Sequence, residues 1–499
     1  MKYCKLKILL LFFISILLLY NCYSKEENHI QKALSLAGKN RHELQKVLDY
    51  YKSNPKDSLK YQAASYLIQN MPTKGWYPFY LRAPSGKLYS SDSLPLTSTD
   101  SIIQFLQTCK IEISPPHLDL QYISSKFLIE NIELAFHTRE RFPWCKNLSF
   151  QNFCETILPY RVKQEPLEKW RSYYLEKFGR IADSLASKGA GIKDVVFFIN
   201  KNFQRKYRAE LINIPGDIPY KLTEQANGGL CHHLALNSAQ ILRSLGIPLN
   251  YDILPYHGKI NGGHAYNSFT DENGVFYYFS PYEREPERKK WIAPLILRAT
   301  YTLNQSDNQT HITPQNALLF SPLLKNVTTN YFPTSNILLK NQIPQNDIYL
   351  TTFNRGKFKA VAYAHSDSLG NAIFPYISHK LLYFPATLNK ESFSPSGPPF
   401  IVDSSGIPQY ILSTSDPIQI NNIHLYDVQR VLILQASTNY TLYYWDYGWN
   451  PIKQTQPSDS ITLDFGIIPH TSLFLIEGTN GIEKMQRPFV IKNSKVEFY

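Results

Sequence analysis

Between Gly228 and Pro281 the chain reads GGLCHHLALNSAQILRSLGIPLNYDILPYHGKINGGHAYNSFTDENGVFYYFSP, and no other stretch constrains the fold as much. A Gly-Gly pair delivers Cys231 to the start of a helix. Cys231, Leu234, Ala235, Ser238, Ile241, Leu242 and Leu245 then recur with a helical period and one inward face. Gly246 and Pro248 stop the helix. Two strands are expected next, Leu249–Leu254 and Gly263–Thr270, with Asp271–Gly274 turning the chain into Val275–Ser280.

The chemistry of the stretch sits at three points. A thiol at a helix N-terminus meets the positive end of the dipole and unpaired N–H groups, which favour the thiolate. His264 opens the second strand. Ser280 lies on the neighbouring strand of the hairpin, where a third group would orient the imidazole. Nucleophile, base and orienting group is the logic of covalent catalysis. Alone, such a cysteine is ordinarily a small buried hydrophobe and such a histidine a structural one. Their common setting is what points to chemistry. His232, His233 and His257 raise the question of zinc. Adjacent residues of a helix do not face each other, so no metal and no cofactor is expected.

The order Gly-x-Cys, helix, Leu-Gly-Ile-Pro, strand, Gly-His-Ala-aromatic-Asn, hairpin, residue before Pro resembles the transglutaminase-like, papain-related superfamily, over about 192–301. The resemblance implies that Cys231 is the nucleophile and His264 the general base. The family's third member is usually an Asp just before Pro; here Ser280 holds that place. Asn267, Asp271, Glu283 or a water are the alternatives for the orienting group. Gln225 lies six residues before Cys231 (231 − 225 = 6). In papain-like enzymes a Gln at that offset donates to the oxyanion, and with the Cys231 N–H it would make a two-donor hole. Gln225, His257 and Asn267 are the candidate oxyanion or substrate-binding residues.

The 499 residues, 43% hydrophobic and 14% aromatic, argue for several domains with real cores and against disorder. The 35 tyrosines, 28 phenylalanines and 32 prolines suggest much β-structure and many turns. A net charge of +12 is scattered, without a basic helix or zinc-finger spacing, so no nucleic-acid partner is expected.

Lys2, Lys5 and Lys7 precede the apolar run Ile8–Leu19, which ends Leu-Tyr-Asn-Cys. The run is short for a membrane span and reads as a targeting segment, 1–22. It resembles a bacterial lipoprotein signal, which implies an acylated Cys22, export, and a lipid tether to the membrane of the cell envelope; an ordinary secretory signal is the alternative. Cys109, Cys145, Cys154 and Cys231 show no paired metal spacing. In an exported chain Cys145 and Cys154 are either a disulfide or buried thiols.

Residues 29–180 read as a helical domain. Asn40 with Glu43 makes a capping-box pattern ahead of Leu44, Val47, Leu48 and Tyr51. Further helices are expected over Ser58–Met71, with Leu59, Ala63, Leu67 and Ile68 inward, and over Asp100–Cys109, Leu118–Arg141, Phe150–Arg161 and Glu165–Phe178. Arg161 and Arg171 are either substrate-binding or structural. The pieces ALSLAGKNRHELQKVLDYY, AASYLIQNMP, FLIENIELAF and CETILPYRVKQEPLEKWR resemble what precedes the transglutaminase-like domain in a family of exported bacterial lipoproteins.

Beyond 304, short strands between turn clusters suggest sandwich or barrel modules. Tyr443, Tyr444, Trp445, Tyr447 and Trp449 would make either a glycan platform or a strand core. The expected architecture is therefore α+β and multidomain: a signal at 1–22, a helical domain at 29–180, a papain/transglutaminase-like α+β core at 188–303, and all-β sandwich-like domains at 304–412 and 413–499. The expected function is exported, thiol-dependent acyl transfer on a peptide or protein, with no cofactor. The alternative is an inactive or weak transglutaminase-like scaffold binding peptide or glycan at the cell surface.

Overall fold

The structure is a computed structural model; it describes residues 27–91, 94, 98–281, 292–304, 312–427, 430–478, 487–492 and 495–499. The expected signal with Cys22, and Glu283, lie outside the described residues. The fold is α+β and multidomain. Its described residues fall into two compact units. The first takes those of Met1–Tyr251, Tyr266–Glu287 and Thr300–Leu303; the second takes those of Asp252–Ala265, Arg288–Ala299 and Asn304–Tyr499. No helix among the described residues is long and apolar enough to cross a membrane.

In the first unit, helices Arg41–Lys52, Ser58–Gln69, Thr99–Thr108 and Ser125–Arg141 form where apolar residues repeat with helical period. Leu44, Val47, Leu48 and Tyr51 are buried as the stripe requires. Leu59 is not: it stands 47% exposed, while Ala63, Leu67 and Ile68 are buried. The capping box at Asn40 does not form. Asn40 instead donates to the carbonyls of Leu120 and Ile123 at 3.0 and 2.9 Å, and Glu43 accepts from Ser125 N–H and Oγ. Tertiary partners outbid the local cap. The span Leu118–Arg141 is broken by Ser124, whose hydroxyl caps the second helix.

The region is less helical than its sequence suggests. Phe79–Arg82, Leu88–Ser90 and Lys110–Ile113 pair as a three-stranded antiparallel sheet. Helix Phe150–Thr156 ends early, and the next one runs Trp170–Ser187. Between them Pro159 and Pro166 remove two N–H donors. A buried polar knot replaces the helix there. Arg161 binds Asp119 at 2.6 Å and the Gly75 and Glu165 carbonyls, while the Glu165 carboxylate accepts the Val162 and Lys163 N–H groups. Arg171 is likewise buried, donating to Asn131 Oδ1 at 3.0 Å and to the Ile157 and Pro159 carbonyls. Both arginines are structural.

Helix Ile192–Asn202 and helix Cys231–Ser244 follow, with residues 267–270 paired to Phe276–Phe279 as a hairpin whose register sets Asn267 opposite Phe279. Helix Cys231–Ser244 packs on Trp170–Ser187. Cys145 and Cys154 are thiols, not a disulfide. Burial pushes each up to about 12.

The second unit is mostly β, with a single-turn helix at Thr328–Asn330 among its described residues. Asp252 and Ile253 pair with Leu297–Arg298, which also pairs with Lys325–Asn326. Asp347–Asn354 lies between Lys357–His365 and Leu382–Asn389. A further sheet runs in the order Trp449–Thr455, Tyr440–Trp445, Phe474–Gly478, Phe489–Lys492, Lys495–Phe498. Leu463 forms an isolated antiparallel bridge with Ile423.

Candidate functional site

Gly228 and Gly229 run parallel to Lys206 and Tyr207. A Cβ on Gly228 would lie 2.1 Å from the Lys206 carbonyl oxygen, and one on Gly229 would lie 2.7 Å from the His233 Cβ. Both positions therefore require glycine. The turn hands the chain to Leu230, whose side chain cannot cap a helix. His233, three residues on, supplies the reciprocal half of a capping box: its Nδ1 accepts the Leu230 N–H at 3.3 Å. An N–H must donate, so Nδ1 is the acceptor and Nε2 carries the proton, facing the Gly216 carbonyl at 3.0 Å. Burial pushes the ring's pKa down to about 3, so it is neutral. His232 turns its Nε2 to the same carbonyl at 3.2 Å. No group of three His, Cys, Asp or Glu residues able to hold a metal occurs among the described residues.

Cys231 is the first residue of the 14-residue helix and is half-buried. Its sulfur meets the helix dipole and the first unpaired N–H groups. Two tyrosines lie within range of its charge. Burial first, then Asp217 and Cys231, hold the Tyr251 phenol well above its ordinary value; burial and then Cys231 raise Tyr207.

The other expected site residues are placed as follows. Gln225 ends helix Tyr220–Gln225, and its carbonyl accepts the Thr99 hydroxyl at 3.0 Å. Ser280 follows strand Phe276–Phe279 and is buried. Asn267 is fully buried, and its amide donates to the Ala235 and Asn250 carbonyls at 3.0 Å each. It ties helix Cys231–Ser244 to the strand at Asn250. Asp271 is a turn residue: its Oδ1 accepts the Asn273 and Val275 N–H groups. Cys231, Gln225, Asn267 and Ser280 belong to the first unit, His257 and His264 to the second.

His264 opens strand His264–Thr270 and is half-buried. Its ring lies 6.4 Å from that of His257, nearly parallel at 21°. His257 is buried; burial, then the charge of His264, pushes it down to about 3. The loop before His264 is closed by the His257 N–H on the Gly262 carbonyl at 2.9 Å. Asn354 holds Gly262 by two hydrogen bonds. The buried Arg487 donates to the Gly258, Phe353 and Tyr499 main-chain oxygens.

The aromatic run beyond 440 is no platform. Trp445 is 3% exposed, with Phe384 at 5.0 Å and Trp449 at 4.9 Å between ring centroids. Tyr443 and Trp449 pack on the same cluster, and Tyr444 stacks on His470 at 4.8 Å. Tyr447 stands out to solvent.

No family model and no curated protein matches the chain. Among solved structures, the chain is similar to a crystal structure of red sea bream transglutaminase. Identity is 8%, coverage is 87% of this chain and 78% of that one, and the TM-score is 0.20. A likeness that remote says nothing about fold or chemistry.

Proposed function

We propose that this chain carries out thiol-dependent acyl transfer on an amide, with Cys231 as nucleophile and His264 as general base. The observation that carries the reading is the construction of the thiol's seat. Two obligatory glycines and a buried neutral imidazole build the N-terminus of a helix that begins at Cys231.

His264 would take the thiol proton, and the thiolate would attack the carbonyl carbon. The helix N-terminal N–H groups, with the Gln225 amide, would hold the oxyanion. On collapse the C–N bond breaks, the amine leaves with the proton from His264, and a thioester remains on Cys231. Water then gives hydrolysis; an amine gives transamidation. Ser280 in the usual Asp position can accept a hydrogen bond from the imidazole but brings no charge, so the pair would be slower than one supported by Asp. The substrate would be a peptide or protein, and the setting the cell envelope, with acylated Cys22 as anchor.

The test is alkylation of Cys231 by iodoacetamide at neutral pH. His264→Ala should slow it at least tenfold, and Cys231→Ser should abolish the modification at that position. Equal rates in the parent and His264→Ala would remove His264 from the mechanism. The departure at Ser280 favours a second reading, a binding scaffold, which requires a thiol with ordinary reactivity.

A further inference from the structure

Strands Asp347–Asn354 and Lys357–His365 are joined by Arg355 and Gly356 alone, both with left-handed backbone, φ 50° and 72°. Such a turn asks for Asn, Asp or Gly at its first position, because a longer side chain is strained there. Arg355 is held in that conformation all the same. Strain of this kind gathers at sites that bind or react.

The turn is fastened to the loop that leads into His264. The buried Asn354 side chain accepts the Gly262 N–H at 3.1 Å and donates to the Gly262 carbonyl at 3.2 Å. The Arg355 N–H donates to Asn261 Oδ1 at 2.9 Å. The guanidinium itself lies against Gly262: a Cβ built there would stand 3.4 Å from Nη2 and 4.0 Å from Nε. Gly262 is two residues before the histidine. The turn therefore carries a planar fork of donors to a fixed place on the His264 loop.

No carboxylate among the described residues answers that charge. More positive charge follows on the same strand. Lys357 and Lys359 alternate onto one face, while Phe358 between them turns to Phe353, Phe384 and Trp445. Neither lysine has an acidic partner among the described residues. Burial first, and then the charges of Lys357 and Arg355, lower the Lys359 ammonium below its ordinary value, as happens where cations gather without an anion. A clamped guanidinium backed by two lysines is a seat for an anion. The anion that a peptide offers is a carboxylate, whose two oxygens match the fork.

We propose that Arg355, backed by Lys357 and Lys359, binds a carboxylate of the peptide substrate at Gly262, so that acyl transfer favours peptides with a negative charge near the attacked amide. This rests on His264 serving the Cys231 thiol. Arg355 positions the substrate and takes no part in making or breaking bonds. The carboxylate is that of a chain end or of an acidic side chain.

The test compares two reagents on Cys231 in the full chain: iodoacetate, which carries a carboxylate, and iodoacetamide, which does not. In the parent the iodoacetate-to-iodoacetamide rate ratio should exceed that of free cysteine, and should fall towards it in about 1 M salt. Arg355→Gln should lower the ratio about fivefold and leave the iodoacetamide rate unchanged. Arg355→Lys, which keeps the charge without the fork, should fall between. An unchanged ratio in Arg355→Gln marks a solvated arginine and overturns the proposal. An equal fall with both reagents marks a residue that only holds the loop, and overturns it too. Acetyl-Ala-Ala and acetyl-Asp-Ala amide, as competitors of iodoacetate, tell the source: the first slows the reaction if the seat takes a chain end, the second if it takes an acidic side chain. Slowing by neither overturns the proposal. His264→Ala keeps the two readings apart. If it slows iodoacetamide while Arg355→Gln leaves the ratio alone, the anion seat fails and the catalytic pair stands. If Arg355→Gln lowers the ratio while His264→Ala changes nothing, the seat stands and the base fails.

Discussion

The Nδ1 of His233 accepts the main-chain N–H of Leu230 across one turn, the bond that a Glu or Gln at the third helical position makes in a capping box. That bond fixes the direction in which the next residue, Cys231, leaves the Gly-Gly turn. His233→Ala would leave the Leu230 N–H buried and unpaired beside a cavity. The expected cost is about 2–3 kcal/mol in urea unfolding. Cys231 alkylation should fall with it, because the helix start no longer holds its N–H groups in register.

The same imidazole makes stability depend on pH. Burial lowers both His233 and His257 to about 3, so the unfolded chain binds protons at these sites that the folded chain refuses. Their contribution is complete above the ordinary value of 6.5 and is lost as pH falls from there towards 3. Each should add a slope of up to about 1.4 kcal/mol per pH unit within that window. Urea unfolding at pH 7, 6, 5 and 4 measures it, and His257→Phe should remove one proton's worth of slope.

Ser280→Asp tests the departure from the family pattern. A carboxylate there should steady the His264 imidazolium and raise the rate of Cys231 alkylation at neutral pH by tenfold or more. The gain should vanish in the Ser280→Asp, His264→Ala double variant. A gain that survives loss of His264 would place residue 280 outside the site.

Trp445 and Tyr447 lie two residues apart and should behave oppositely. Trp445→Ala removes a ring packed on Phe384, Phe358 and Trp449 and should cost about 3–5 kcal/mol. Tyr447 is 91% exposed, and its replacement by Ala should stay within about 0.5 kcal/mol.

The buried pair Arg161–Asp119 should be equally sensitive. Asp119→Ala leaves a guanidinium without its carboxylate in a site where both side chains are almost wholly shielded. The expected loss is about 3–5 kcal/mol, or failure to fold.

The Cys231 helix and both strands after it were legible because period and punctuation agreed. Apolar residues repeated at helical spacing, Gly246 and Pro248 closed the helix, and the hairpin kept its turn residues. The capping box at Asn40 misled because both partners had better offers from residues about 80 positions away. The break between Phe150–Thr156 and Trp170–Ser187 was signalled by Pro159 and Pro166, but the buried Arg161–Asp119–Glu165 network that makes the break stable is invisible locally. His233 left one trace: a histidine three residues after an N-cap leucine unable to cap.

Arg487 reaches Gly258 across 229 residues and Phe353 across 134. During synthesis the loop that leads into His264 is made 229 residues before its clamp, Arg487. A chain halted at 478 would hold the sequence of that loop without the guanidinium that fastens it, and Gly258, Phe353 and their neighbours would keep unanswered carbonyls. The C-terminal sheet is therefore no detachable accessory. The loop from which the histidine emerges is fastened only once Arg487 is in place.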